Sequence, residues 1–293
     1  TYWHNLTKIN MQSIDFYRKK IGAELQGLLN MTPREANLEA QFILQFVLKE
    51  TFSQLIIQRS KTVSKNDVHS MDLIVKQRLV NIPLAYIFNE WDFYGKTYYI
   101  TPETLIPRQD TELMIDILLQ SNNKESQLNI LDLGTGSGVI GLTLAQHFSC
   151  AQVTLSDISS SAIKVAEING KNTNVKNIQF IQSDWFESIK HNNFDIIVSN
   201  PPYIAETDSH LLHPELLAQP RIALVSEMSG LKDIKHIVQN AKQYLNESGM
   251  LIIEHGYDQA MMVQDIFIAN DFNNIAQHKD INGVIRITSG IKI

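Results

Sequence analysis

Asn129-Ile130-Leu131-Asp132-Leu133-Gly134-Thr135-Gly136-Ser137-Gly138 reads as an apolar strand running straight into a glycine-rich loop. A helix is expected to follow at once, over residues 138–148. Glycine permits positive φ and lets a ligand approach the main chain closely. The amides that open a helix favour polar or negative groups, so this loop is a candidate binding site. Further along the chain, strands are expected at 152–156, 178–182, 194–199 and 249–254, with helices at 160–170, 230–246 and 257–269. Such alternation predicts a parallel sheet covered by helices on both faces. The tail differs: 272–278 and 283–289 read as two strands joined through residues 280–282, a closing antiparallel hairpin.

Upstream, residues 1–82 read as helical throughout. Thr32-Pro33-Arg34-Glu35 is a capping box with proline at the first helical position. Ala36, Ala40, Ile43, Leu44, Val47 and Leu48 then share one helical face. Ser64 and Asp67 resemble a second cap, leading into Val68, Met71, Val75 and Leu79. A small bundle of four or five helices is predicted. Residues 83–103 change character: 84–88, 91–94 and 97–100 are short, aromatic and β-branched, and read as a β-hairpin linker. A helix capped by Asp110 is expected to run to Leu119, and residues 104–293 form the second domain.

The 293 residues allow two modest domains, and 44% hydrophobic content is that of a globular protein. No apolar run approaches the roughly 20 residues that span a bilayer. The first residues, Thr1-Tyr2-Trp3-His4, lack the basic-then-apolar pattern of a signal peptide. Cys150 is the single cysteine, read as a buried structural thiol, and it excludes an intrachain disulfide and a thiolate zinc cluster. A cytoplasmic protein is expected. The net charge of −6 divides unevenly: residues 1–90 carry 11 Lys and Arg against 8 Asp and Glu, and residues 91–293 carry 14 against 23. An acidic second domain is a poor match for duplex DNA.

Gly136, Gly138 and Gly141 satisfy the dinucleotide pattern G-x-G-x-x-G, and Asp157 follows 21 residues after Gly136, at the end of the next strand. A nicotinamide cofactor therefore fits. The full run 132–138 also fits an S-adenosylmethionine loop, the reading it favours, in which Asp157 would hold the ribose hydroxyls. Ser183-Asp184-Trp185-Phe186 follows the third strand, where an acid and an aromatic ring could flank an adenine.

About 60 residues beyond the glycine loop, Asn200-Pro201-Pro202-Tyr203 follows the apolar run 194–199. This makes a stiff, shaped mouth suited to a flat group bearing nitrogen. An amide or aniline-like nitrogen is a poor nucleophile because its lone pair is delocalised into the π-system. The Asn200 side-chain oxygen and the Pro201 carbonyl can accept its two N–H groups, and Tyr203 can pack on its plane. Positioning would then dominate catalysis, with no metal required. The motif alone serves an adenine amino group as well as a carboxamide.

Thr104-Leu105-Ile106-Pro107-Arg108-Gln109-Asp110-Thr111-Glu112 lies ahead of the glycine loop. Together with 83–95, 183–186, 197–204 and 249–256, it resembles the HemK/PrmC family of protein-glutamine methyltransferases. The likeness runs from about residue 80 to the end, with a weaker helical match before it. It implies a class I S-adenosylmethionine-dependent methyltransferase fold, a Rossmann-like α/β domain with a seven-stranded sheet, behind an N-terminal helical-bundle domain. It also implies methylation of the glutamine in the Gly-Gly-Gln loop of peptide chain release factors. Carried over by motif, Gly134, Thr135, Gly136, Ser137, Gly138, Asp157 and Trp185 would bind S-adenosylmethionine and its product S-adenosylhomocysteine. Asn200 would touch cofactor and substrate, and Pro201, Pro202 and Tyr203 would hold the glutamine. Arg108 could border that pocket or serve a structural ion pair. The helical domain would recognise the release factor, and the chain would act as a monomer, with neither DNA nor membrane as partner.

Overall fold

The structure is a computed structural model and describes residues 12–190 and 193–293. The first eleven residues of the expected helical domain lie outside that range. The chain divides into two compact units, with the boundary between Phe88 and Asn89.

The described part of the first unit holds five helices: α1 (Ile14–Leu29), α2 (Pro33–Leu48), α3 (Phe52–Ile57), α4 (Lys65–Leu79) and α5 (Leu84–Phe88). The cap at Thr32 forms as read: its hydroxyl accepts from Glu35 N while Glu35 reaches back to Thr32 N. Ser64 caps α4 one way only: its hydroxyl accepts from Asp67 N and donates to Asp67 Oδ2. Ile21, Leu25, Ala40, Ile43, Leu44 and Met71 form fully buried faces, each large side chain contributing roughly 1.5–3 kcal/mol on burial. The segment 84–88 is a helical turn, not the expected strand. The Pro83 carbonyl accepts from Tyr86 N and Ile87 N, so proline starts a helix that buries Leu84, Ala85 and Tyr86.

The second unit opens on a hairpin, β1 (Glu90–Phe93) and β2 (Lys96–Tyr99), turned by Tyr94 and Gly95 at φ 50° and 70°. Next come α6 (Glu112–Ser121), β3 (Asn129–Leu133), α7 (Val139–His147), β4 (Gln152–Asp157), α8 (Ser160–Asn172), β5 (Ile178–Gln182) and β6 (Phe194–Ser199). A short pair, β7 (Ile204–Ala205) and β8 (Val225–Ser226), brackets α9 (Pro214–Leu217). The chain closes with α10 (Glu227–Gly230), α11 (Lys232–Tyr244), β9 (Leu245–Glu254), α12 (Ala260–Ala269), β10 (Asn273–Lys279) and β11 (Ile285–Ile291).

Seven strands form one sheet in the order β10-β11-β9-β6-β3-β4-β5, parallel except for β11, which runs antiparallel to both its neighbours. This is the α/β class I methyltransferase architecture expected above. Successive strands β3, β4 and β5 step outward on one side, and β6 then returns to the other side of β3. The order reverses between β3 and β6, and ligands of open α/β sheets bind beyond the carboxyl ends at such a point. Ser199 Oγ donates to the Leu133 carbonyl (2.8 Å), tying those two ends together. Behind them, α11 buries Ile234, Ile237, Val238 and Ala241 against Leu251, Ile253 and Phe267.

Asp110 does not cap α6. Residues 109–111 form a 3-10 turn, Thr111 holds the cap position with helical backbone, and Asp110 Oδ2 lies 3.5 Å from Arg286 Nε. Cys150, expected inside, is exposed in the turn between α7 and β4, with Sγ 3.9 Å from a Glu125 carboxylate oxygen.

Candidate active site

Beyond the end of β3, Gly134 N and Thr135 N both donate to the Ser156 carbonyl (2.9 and 2.8 Å), which curls the loop over β4. Gly138 lies at φ 84°, and a Cβ there would sit 3.0 Å from Ala166 Cβ, so helix α8 packs against bare main chain. Asp132 lies fully buried beneath the loop. Its Oδ2 accepts from Thr135 Oγ1 (2.5 Å) and Gly141 N (2.9 Å), while Oδ1 has no hydrogen-bond partner. Burial drives its carboxyl up to about 7. Asn169 of α8 ties the loop to β2: Nδ2 donates to the Ser137 and Tyr99 carbonyls, and Oδ1 accepts from Tyr99 N.

Asp157 ends β4. One of its oxygens accepts from Gly136 N and the other from Ser159 N, both at 2.9 Å, leaving each oxygen further acceptor capacity. Its pKa is raised by burial, against these main-chain donors. Trp185 follows β5 at φ 44°, a left-handed conformation costly for a bulky residue. Ser183 holds it there, its hydroxyl donating to the Trp185 carbonyl (2.8 Å) and accepting from Ser188 N (2.9 Å). The Trp185 ring lies over Gly134, where a Cβ would be 3.4 Å from the ring, and Nε1 donates to Asp233 (3.2 Å).

A cavity of about 320 Å³ gathers these parts. Its wall includes Gly134, Thr135, Gly136, Ser137, Asp157, Trp185, Asn200 and Pro202. A Cβ at Gly136 would meet no atom within 4 Å, so the loop presents bare main chain to open space. Paired ribose hydroxyls suit the Asp157 oxygens, and the apolar residues Leu105, Pro107 and Ile158 suit an adenosyl group. The residues present therefore fit S-adenosylmethionine. Gly138 shapes the loop without lining this cavity.

The acceptor motif sits at the far wall. Asn200 also lines a second pocket of about 10 Å³, shared with Arg108, Pro201 and Tyr203. Asn200 Nδ2 donates to Thr111 Oγ1 (3.2 Å), Thr111 Oγ1 donates to Glu254 Oε2 (2.6 Å), and the Tyr203 hydroxyl donates to Glu254 Oε1 (3.2 Å). Burial raises the pKa of Glu254, while these two hydroxyls and the nearby Arg108 charge oppose that rise. Gln259 fixes the loop from behind. Its Nε2 donates to the Tyr203 and Ser229 carbonyls, and its Oε1 accepts from Gly256 N. Met228, Ser229 and Gly230 pass successively through positive φ at this junction.

Thr111 and Glu254 lie within the segments 104–112 and 249–256 that carry the family likeness, but the sequence marks no role for them, nor for Gln259 and Asn169. Glu254 left one signal, an acid closing the apolar run 250–253 at a strand's carboxyl end. The other three are ordinary polar residues on helices or turns. Among the described residues, no group of three or more His, Cys, Asp and Glu could hold a metal ion, and no helix is long and apolar enough to cross a membrane.

Residues 109–230 match the methyltransferase small domain, and residues 27–88 match the PrmC N-terminal domain. Among solved structures, a methyltransferase from Pyrococcus furiosus shares the fold, with TM-score 0.51 and 17% identity across 68% of this chain and 90% of that one. The release factor glutamine methyltransferase of Coxiella burnetii is 35% identical over 277 residues, covering 94% of this chain and 98% of its own length. That of Buchnera aphidicola subsp. Schizaphis graminum is 40% identical over 280 residues, covering 96% of this chain and 99% of its own. With likeness of this depth along nearly the whole length, the chain belongs to the release factor glutamine methyltransferase family.

Proposed function

We propose that this methyltransferase moves the methyl group of S-adenosylmethionine to the side-chain amide nitrogen of the glutamine in the Gly-Gly-Gln motif of a peptide chain release factor. One observation carries the reading at the level of residues: Asn200 stands on the wall of the large cavity and of the small pocket next to Pro201 and Tyr203. Gly134, Thr135, Gly136, Ser137, Asp157 and Trp185 would hold the donor, with Gly138 shaping their loop. Bound there, the cofactor supplies a methyl group already made electrophilic by its sulfonium.

The Asn200 oxygen and the Pro201 carbonyl would each accept one N–H of the glutamine amide. Tyr203 and Pro202 would confine its plane. The nitrogen takes the methyl as the methyl–sulfur bond breaks, develops positive charge as it does so, and afterwards releases one proton to solvent. Carbonyl oxygens on its N–H groups therefore bind more strongly at the transition state than before it. Holding the amide in one orientation also removes the entropy of finding that orientation.

Residues 1–82 would recognise the release factor away from the reacting glutamine. Deleting them should then slow methylation of the intact factor far more than that of a short glutamine peptide, and equal losses would assign them to folding. The single cysteine and the lack of any membrane-spanning helix among the described residues agree with a cytoplasmic enzyme. A monomer needing no DNA, membrane or metal completes the proposal. Labelled S-adenosylmethionine offered together with release factor, a ribosomal-protein fraction and DNA tests the acceptor. Label on adenine instead of the release-factor glutamine would replace this reading with an adenine-N6 methyltransferase.

A further inference from the structure

We propose that Glu254 is a positioning residue: by taking the Thr111 hydroxyl proton, it dictates which end of the Asn200 amide faces the acceptor. The inference rests on the reading of Asn200 as the group that accepts a substrate N–H. It follows from counting protons. A threonine hydroxyl has one hydrogen, and an ionised carboxylate only accepts. The 2.6 Å contact of Thr111 Oγ1 with Glu254 Oε2 lies in the range of a charge-assisted O–H···O⁻ bond, so that hydrogen is committed to Glu254. Toward Asn200, Thr111 can then only accept, and the atom it meets at 3.2 Å must be the amide nitrogen. Asn200 Oδ1 is left free to accept from substrate.

The opposite arrangement shows why this matters. If Thr111 received a hydrogen from its buried partner, its own hydrogen would seek Asn200 Oδ1. The asparagine amide would turn over and present NH₂ to an incoming NH₂, two donors facing one another. Glu254 is 2% exposed and accepts from Tyr203 through its other oxygen, so one carboxylate sets both the asparagine and the ring of the acceptor loop. Burial opposes its ionised form most, the Thr111 and Tyr203 hydroxyls and Arg108 favour it, and Asp110 opposes it.

The test uses the full chain, with Thr111→Val, Thr111→Ser, Glu254→Gln and the Thr111→Val/Glu254→Gln double variant. In Glu254→Gln, the new amide has one acceptor oxygen for two hydroxyls, so one of them must reverse. Thr111→Val and Glu254→Gln should each lower kcat by about 10- to 100-fold, the range for losing a group that orients a functional ligand. Affinity for S-adenosylhomocysteine, measured by calorimetry, should stay within about twofold in Glu254→Gln, because Thr111 lines the donor cavity and Glu254 stands behind it. Thr111→Ser should recover most of the rate, and the double variant should be no slower than the slower single. The proposal is overturned if Thr111→Val keeps the wild-type rate, if Thr111→Ser is as slow as Thr111→Val, or if the two losses multiply. Should Glu254→Gln fail to fold, the valine and serine pair still decides. These comparisons can be made on whichever acceptor wild-type enzyme methylates, so a wrong acceptor would sink the functional reading without touching this ladder.

Discussion

The loop after β3 meets its partners mainly through its own main chain, whereas the loop after β6 is held through side chains by two distant segments, one at Thr111 and one at 254–259. On the donor side, Gly134 N, Thr135 N and Gly136 N make the defining bonds, and their partners lie at the neighbouring end of β4. On the acceptor side, Asn200, Thr111, Glu254 and Tyr203 form one side-chain network, with Gln259 bracing the same loop through main-chain carbonyls. Main chain suits a ligand whose shape is constant. A side-chain network suits the harder task of aiming one amide, since each hydroxyl and carboxylate in it fixes a direction for the next.

If that division holds, damage to the two sides should separate. Asn200→Ala should cost the most, about 2.7–4 kcal/mol in the barrier by analogy with lost oxyanion donors, while S-adenosylhomocysteine still binds. Parallel loss of binding and rate in a calorimetric and kinetic comparison would make Asn200 chiefly a cofactor residue. Gly138→Ala should do the reverse. Its φ of 84° and the contact with Ala166 predict about 1–3 kcal/mol of strain, read as weaker donor affinity with kcat largely kept at saturating donor. An unchanged donor affinity would contradict the account of that loop.

Gln259→Glu sharpens the acceptor side. It replaces two donated hydrogen bonds with a carboxylate facing the carbonyls of Tyr203 and Ser229. A stability loss of about 1–3 kcal/mol is expected in thermal unfolding, with kcat falling further than donor affinity. Equal effects on both would remove the distinction between the sides.

The remaining effect is a slope in stability, not a loss of rate. Asp132 titrates near 7 when folded against 3.8 as its ordinary value, so the folded state keeps a proton the unfolded chain releases. Its contribution to stability is therefore greatest below the lower value and declines as pH rises through the window between them. Asp132→Asn should remove that decline, making the variant progressively more stable relative to wild type across the window. A constant difference between their melting curves would show that Asp132 does not titrate there.

The same contrast explains what could be read from the chain. The glycine loop, Asp157 and Asn200-Pro201-Pro202-Tyr203 are short runs whose meaning lies in adjacent residues and strand ends. The parallel sheet follows from apolar runs spaced by helices, and the closing hairpin from the break in that alternation, whereas the strand order comes from the structure. Leu84–Phe88 has the β-branched and aromatic composition of a strand, yet the proline before it starts a helical turn. Thr111 and Glu254 lie 143 residues apart, and nothing local marks either as the other's partner. The left-handed Trp185 was equally hidden, because its conformation is imposed by the Ser183 hydroxyl and not by the preference of tryptophan.

The most direct test of the whole account is the site of methylation. Purified chain, isotopically labelled S-adenosylmethionine and an intact release factor should yield one methyl on the side-chain nitrogen of the Gly-Gly-Gln glutamine, located by tandem mass spectrometry and absent with Asn200→Ala. A release factor left unlabelled while DNA or RNA adenine gains the methyl would contradict it.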